Sequence, residues 1–97
     1  MLNQENKTLC WNVLAKFGVF NQRRMVIEEC AELQKAVCKL FRHETDEQYP
    51  AHYQNYIEEL CDTIAVLQEM LLAEGLTMDE VNERIKAKLE RALNNEQ

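Results

Sequence analysis

The chain has 97 residues, enough for one domain with a core, but close to the size at which small proteins often complete their core by self-association. Its formal charge of −6 and pI near 4.9 argue against a partner that is a nucleic-acid polymer, because binding along such a backbone needs a basic surface. Two glycines and one proline, among many Leu, Ala, Glu, Lys and Gln residues, predict a single all-α domain over residues 1–97.

The sequence favours neither a membrane-spanning protein nor one with disulfide bonds. No apolar run approaches the roughly 20 residues that a membrane span needs, and the polar start of the chain lacks the apolar segment of a signal peptide. We therefore expect a cytoplasmic protein. The four cysteines form no CxxC pair and lie in predicted helices, which favours reduced thiols over disulfides or a zinc site.

The first helix is predicted over residues 3–17 and ends at Gly18, where a left-handed cap costs little. Its apolar stripe contains Leu9, Val13 and Phe17. Trp11 lies almost opposite that stripe. We expect Trp11 to pack on another helix or subunit, and the functional alternative is that it stacks on a nucleobase.

A second helix is predicted over residues 21–42, with Asn21 as its N-cap. Its apolar side consists of Met25, Val26, Cys30, Leu33, Val37, Leu40 and Phe41. The polar segment from His43 to His52 contains the only proline and therefore predicts a loop. We interpret its two histidines as solvated loop residues rather than as ligands.

The third helix is predicted over residues 52–74, ended by Gly75, and the fourth over residues 77–93. Thr77 and Glu80 have the spacing of a capping box at the start of the fourth helix. The residues of this helix expected to face inward are Met78, Val81, Ile85, Leu89 and Ala92. Because a short loop joins the long second and third helices, we expect an antiparallel hairpin at the centre of a four-helix, antiparallel bundle.

An acidic segment in the second helix recurs in the third. Ile27-Glu28-Glu29 is echoed by Ile57-Glu58-Glu59, and Glu32 by Asp62, at an offset of 30 residues. At about 100° per residue, Glu29 and Glu59 fall inside the apolar arcs of their helices, Glu32 and Asp62 at the edges, and Glu28 and Glu58 outside. The two helices therefore present the same acidic face.

Ionised carboxylates that face a core need a positive partner. The two apolar arcs contain no Lys or Arg, so a divalent cation is the simpler neutraliser. Four oxygen ligands without histidine or thiolate suit Mg²⁺, with Mn²⁺ as the second choice. A di-iron site would require a Glu-x-x-His on two helices, where this chain has Glu32 and Asp62. The remaining alternative is an ordinary solvated charge run.

At these residues the chain resembles the MazG-like branch of the all-α nucleoside triphosphate pyrophosphohydrolases. The signature of that family is EExxE followed by ExxD, which here reads Glu28-Glu29-x-x-Glu32 and Glu59-x-x-Asp62. The surroundings agree in three places: Gly18-x-x-x-Gln22, the segment EECAEL, and the terminal Lys88-Leu89-x-Arg91. Some relatives have a polar or aromatic residue one turn after the ExxD aspartate, where this chain has Val66.

The resemblance implies Mg²⁺-dependent hydrolysis of an NTP or dNTP to the monophosphate and pyrophosphate, in nucleotide-pool house-cleaning, by an oligomeric bundle. It also implies that the metal ligands are Glu29, Glu32, Glu59 and Asp62, and we expect Glu28 just outside them as a catalytic residue that orients water. A dUTP/dCTP-type or a phosphoribosyl-ATP-type pyrophosphatase is the alternative within the same enzyme class. The alternative from another class is a non-catalytic helical-bundle module for interaction or metal binding.

The sequence also offers candidates for substrate contact and for self-association. We expect phosphate contacts from basic residues that border the apolar faces, with Lys88 preferred among Lys39, Arg84, Lys88 and Arg91. Gln22, on the acid-bearing face, is a candidate for nucleotide contact. A second apolar set lies away from the acids and predicts the interface of a homodimer or homotetramer: Ile27, Ile57, Ile64 and Leu72.

Overall fold

A computed structural model describes residues 3–42 and 47–94, and these residues form four α-helices and no strand. The helices are α1 (Gln4–Phe17), α2 (Val19–Arg42), α3 (Tyr49–Ala73) and α4 (Met78–Leu93). The predicted all-α class and helix count are confirmed. None of the helices in this described part of the chain is long and apolar enough to cross a membrane.

The helix ends follow local side-chain chemistry. The Asn3 side chain accepts a hydrogen bond from the Asn6 backbone N–H at 2.8 Å, and Thr77 Oγ accepts one from Glu80 N–H at 3.2 Å. Both contacts satisfy N–H groups that have no partner within the helix. Gly18 and Gly75 have φ values of +86° and +74°, which side chains with a Cβ rarely adopt. The predicted cap at Thr77 and the predicted glycine stops are confirmed.

Two predicted helix starts are wrong. α2 begins at Val19 rather than Asn21, and the Asn21 side chain instead donates a hydrogen bond to the Phe17 carbonyl at 2.9 Å. α3 begins at Tyr49 with Pro50 in its first turn, so the predicted loop extended too far into the helix. Proline fits there because the first N–H groups of a helix need no intrahelical acceptor. The rest of the predicted loop, residues 43–46, lies outside the described residues.

The core under α1 differs from the predicted stripe. The buried residues of this helix are Cys10 and Leu14, which pack with Leu72 of α3, whereas Leu9 and Phe17 are about half exposed. The helical period was right, but the buried face is rotated by one residue. Leu72, predicted at a subunit interface, is 7% exposed and belongs to this internal core.

α2 and α3 pack along much of their length, and two polar contacts link them. Thr63 Oγ donates toward the Glu29 carbonyl at 3.3 Å, and Arg23 Nη2 donates to Glu74 Oε1 at 2.9 Å. The exposed Arg23–Glu74 ion pair adds little stability, because water screens its charges. Ala36 of α2 and Val66 of α3 are buried.

α4 stands apart from the other three helices. None of its Cα atoms lies within 8 Å of a Cα atom of α1, α2 or α3. Val81 is buried near the start of the helix, but Ile85 and Leu89 are 44% and 58% exposed. The predicted inward packing is therefore wrong within one chain for Ile85 and Leu89, while Met78 and Ala92 are half-buried.

Candidate metal centre

Three of the predicted acidic ligands meet between α2 and α3. Glu29, Glu59 and Asp62 each offer a carboxylate oxygen, and these oxygens all lie within 4.8 Å of one another. Glu59 and Asp62 share a face of α3 because residues three apart are neighbours on a helix. Glu29 reaches them from the opposing face of α2, so the cluster depends on packing of the two helices.

Thr63 fixes the backbone under this cluster. It is 6% exposed, and its hydroxyl lies 2.7 Å from the Glu59 carbonyl and 3.3 Å from the Glu29 carbonyl. Its one hydroxyl proton favours the shorter contact within α3, while the longer one reaches across to α2. Both carbonyls belong to acids of the cluster, so the buried hydroxyl lies between the two helices where the carboxylates meet.

The cluster is electrostatically strained. Burial raises the pKa of Glu29, and the negative charges of Asp62, Glu59, Glu32 and Glu28 raise it further. Glu59 Oε2 is buried and has no hydrogen-bond partner among the residues that the structure describes. Within residues 3–42 and 47–94, no Lys or Arg forms an ion pair with the three clustered acids.

These three carboxylates fit a hard divalent cation. Ligand oxygens around Mg²⁺ lie about 2.1 Å from the metal, so neighbouring oxygens are roughly 3 Å apart and opposite ones roughly 4.2 Å. The observed spacing, within 4.8 Å, is close to these distances. The unpaired Glu59 oxygen supplies a donor that has no other partner.

The other acids of the two motifs lie outside the cluster. The Glu32 carboxylate contacts the Lys35 ammonium at 3.5 Å, and both side chains are more than half exposed. Glu28 and Glu58 are exposed, as the helical wheel predicted. The wheel placed Glu32 and Asp62 alike at the edges, but only Asp62 joins the carboxylates.

The remaining α2 candidates flank the cluster along the helix. Gln22 is 8% exposed and lies seven residues before Glu29, so it is on the same face about 10 Å away. Lys39 is half-buried, ten residues beyond Glu29 and thus about 15 Å along the helix. Val66, one turn after Asp62, is buried.

Trp11 and the basic residues of α4 are not brought to the acids. Trp11 lines a cavity of about 500 Å³ with Leu72, Gly75 and Thr77. Leu72 is ten residues beyond Asp62, which corresponds to about 15 Å along α3. Arg84, Lys88 and Arg91 are exposed on the isolated α4 helix.

Two polar residues that matter here were missed in the sequence. Thr63 occupies the position equivalent to Leu33 in the repeat, and the signal was a hydroxyl in place of an apolar residue. Glu69 is a buried carboxylate seven residues after Asp62. Its signal was a lone acid in the otherwise uncharged segment Thr63–Ala73.

Comparison with known proteins adds no relative. No protein-family model, curated protein or solved structure matches the chain.

Proposed function

We propose that the protein is a MazG-like nucleoside triphosphate pyrophosphohydrolase that requires Mg²⁺ and also accepts Mn²⁺. It hydrolyses an NTP or dNTP with one water to the monophosphate and pyrophosphate. The observation that carries the proposal is the cluster of Glu29, Glu59 and Asp62, in which three carboxylates from two helices converge without a basic partner among the described residues. Such a cluster is costly unless a cation completes it.

The chain's own carboxylates hold the metal in this proposal. Glu29, Glu59 and Asp62 are the ligands already in place, and Glu32 joins them by leaving its weak, exposed contact with Lys35. Mg²⁺ at this position supplies positive charge for the triphosphate oxygens and lowers the pKa of a bound water. Glu28, exposed just outside the cluster, orients the attacking water.

Phosphate oxygens beyond the metal need basic donors, and the proposed set is Lys39 with Arg84, Lys88 and Arg91. The last three belong to α4 beyond Val81, where they are exposed and no Cα atom lies within 8 Å of a Cα atom of α1, α2 or α3. We therefore propose that a nucleotide bound at the acids meets these side chains from a neighbouring copy. Gln22 and Trp11 remain proposed contacts to the sugar or base.

The proposed assembly is a homodimer or homotetramer built on an antiparallel α2–α3 hairpin. Support for the hairpin comes from the order of its contacts, since residue 29 meets residue 63 while the earlier residue 23 meets the later residue 74. Support for self-association comes from exposed apolar side chains, among them Leu89 at 58% and Ile64 at 39%.

A nucleotide panel tests the activity. The protein is incubated with each NTP and dNTP and with phosphoribosyl-ATP, in Mg²⁺, Mn²⁺ or EDTA, and pyrophosphate and monophosphate are measured. We expect equal amounts of both products with metal and none with EDTA. The ranking of dUTP, dCTP and phosphoribosyl-ATP distinguishes the enzyme types. Metal binding without hydrolysis of any substrate would instead identify a non-catalytic metal-binding module.

A further inference from the structure

A groove runs between α1 and α3, and its α3 wall extends from Cys61, next to the clustered Asp62, to Glu69. It encloses about 440 Å³, and its walls are mostly apolar, with Leu9 and Val13 from α1 facing Ile64 and Ala65 from α3. Leu9 and Ile64 are 53% and 39% exposed at its mouth. An open apolar groove of this kind is the usual seat of an amphipathic helix.

Glu69 gives the groove a specific chemical requirement. This residue is 6% exposed and lines the groove, and its Oε1 atom has no hydrogen-bond partner among the described residues. The nearby Cys10 thiol offers no positive charge. Burial raises the pKa of the Glu69 carboxyl. The groove is therefore suited to an apolar surface that brings one cation.

α4 presents that surface. Ile85 and Leu89 are four residues apart on one face and both are exposed. Lys88 lies at the edge of this apolar stripe, whereas Lys86 points elsewhere and pairs with Glu90 of the same helix at 3.6 Å. No other helix of the same chain covers the stripe.

We propose that α4 of a second copy of this chain occupies the α1–α3 groove, with Ile85 and Leu89 between Leu9 and Ile64 and the Lys88 ammonium beside Glu69. The inference rests on the homo-oligomer of the proposed function and names its surfaces, but it does not depend on catalysis. Lys88 then belongs to the interface rather than to the phosphate donors of the proposed function, which leaves Lys39, Arg84 and Arg91 for phosphate.

The dimensions agree with this occupant. The groove spans Cys61 to Glu69 along α3, which is about 12 Å and matches two turns of an inserted helix. The chain exposes 7466 Å², against about 5,800 Å² expected for a compact monomer of this mass. Its radius of gyration is 16.0 Å, against about 13 Å expected. The excess area of about 1,700 Å² per copy falls in the range of stable homodimers.

Dissociation of the oligomer tests the surface first. Sedimentation equilibrium would compare wild type, Leu89→Ser and Ile27→Ser, and circular dichroism would verify that each variant is folded. We expect Leu89→Ser to raise the dissociation constant on the order of 100-fold, because a two-fold dimer loses the contact twice, and Ile27→Ser to have little effect. If Ile27→Ser dissociated the oligomer and Leu89→Ser did not, the proposed interface would be wrong, although self-association itself would stand. A wild type that stays monomeric would overturn both, while the nucleotide assay judges the activity separately.

The ion pair is tested by a double-mutant cycle. Glu69→Gln and Lys88→Gln should each weaken association, and the double variant should lose less than the two single effects combined. Lys86→Gln is the matched control, since it removes a lysine from the same helix outside the stripe. Additive effects of Glu69→Gln and Lys88→Gln would overturn the assigned pair.

Two native cysteines report coverage of the groove. Cys61 is exposed at the groove and Cys38 is exposed on α2 away from it. We expect alkylation of Cys61 to be slow in the oligomer and fast in Leu89→Ser, while Cys38 reacts at one rate in both. Equal Cys61 rates in the two proteins would overturn the proposal.

Discussion

α3 carries carboxylates in two different surroundings, one against α2 and one in the groove against α1. Toward α2, Glu59 and Asp62 join Glu29 in a cluster of three acids. Toward α1, Glu69 lies alone in an apolar groove, and its closest titratable neighbour there is the buried Cys10 thiol. The first arrangement concentrates negative charge, and the second isolates one charge from water.

The two arrangements suit two different kinds of binding partner. Three converging oxygens offer the donors that a small divalent ion requires, and they repel one another until it binds. A single carboxylate between Leu9 and Ile64 offers one ion-pair acceptor within an apolar surface, which suits a lysine on a helix. The metal-binding face and the self-association face can therefore be changed separately.

The largest loss of activity is expected when one carboxylate of the cluster loses its charge. Glu29→Gln or Asp62→Asn should reduce metal-dependent pyrophosphate release about 100-fold or more, because each removes a proposed ligand. Without metal, the melting temperature of each variant should rise, since repulsion within the cluster falls. Steady-state assays and thermal melts in EDTA measure the two effects.

Glu58→Gln is the matched control for these variants, because Glu58 is exposed and adjacent to a cluster residue in sequence. It should leave turnover unchanged. If Glu29→Gln or Asp62→Asn kept full activity, these residues would not be the metal ligands, and the cluster would have only a structural role.

A smaller loss of activity is expected from changing Glu32. This residue belongs to the family motif but lies outside the observed cluster. Glu32→Gln should raise the Mg²⁺ concentration required for half-maximal activity roughly 10-fold, as for a ligand that joins after the others. Lys35→Met should lower that concentration slightly by releasing Glu32 from its ion pair. A Glu32→Gln effect as large as that of Glu29→Gln would show that all four carboxylates are equivalent ligands.

Much of this architecture was predictable from the sequence. The helix count, the Thr77 cap and both glycine stops follow from local rules that act within one turn. The acidic cluster was predictable because the repeat at 30 residues places Glu29 and Glu59 on corresponding apolar faces. The sequence pattern predicted the structure correctly wherever a single helix face was involved.

The failures arise where two helix faces compete. α1 has an apolar stripe at Leu9 and Val13 and another at Cys10 and Leu14, and only packing against α3 decides that the second is buried. The α4 stripe was predictable, but its partner was not, because a single chain leaves it uncovered. Glu32 lies outside the cluster and contacts Lys35 instead, although the helical wheel gave it the same edge position as Asp62.

Thr63 allows the α2-facing side to be loosened without altering any charge. Thr63→Val should lower the free energy of unfolding by about 1 kcal/mol, the typical contribution of one hydrogen bond, because the buried hydroxyl links two carbonyls under the cluster. Activity should fall more than that of the control Thr8→Val, whose hydroxyl contacts only its own exposed helix. Urea unfolding and the pyrophosphate assay measure these effects, and equal results for the two variants would show that Thr63 does not position the acids.

The smallest effect is expected on the pH dependence of stability, measured in a monomeric variant whose groove is uncovered. In Leu89→Ser, Glu69 has no lysine beside it, and burial holds the pKa of its carboxyl above the ordinary value of 4.5. The folded state then binds a proton more readily than the unfolded state. The contribution of Glu69 to stability is therefore full below pH 4.5 and is lost as the pH rises through the folded-state pKa. The difference in unfolding free energy between Leu89→Ser and Leu89→Ser/Glu69→Gln should change in this direction across mildly acidic pH. In the wild-type oligomer, the Lys88 charge should flatten or reverse the same difference, and an identical pH dependence in both backgrounds would mean that no cation reaches Glu69 on association.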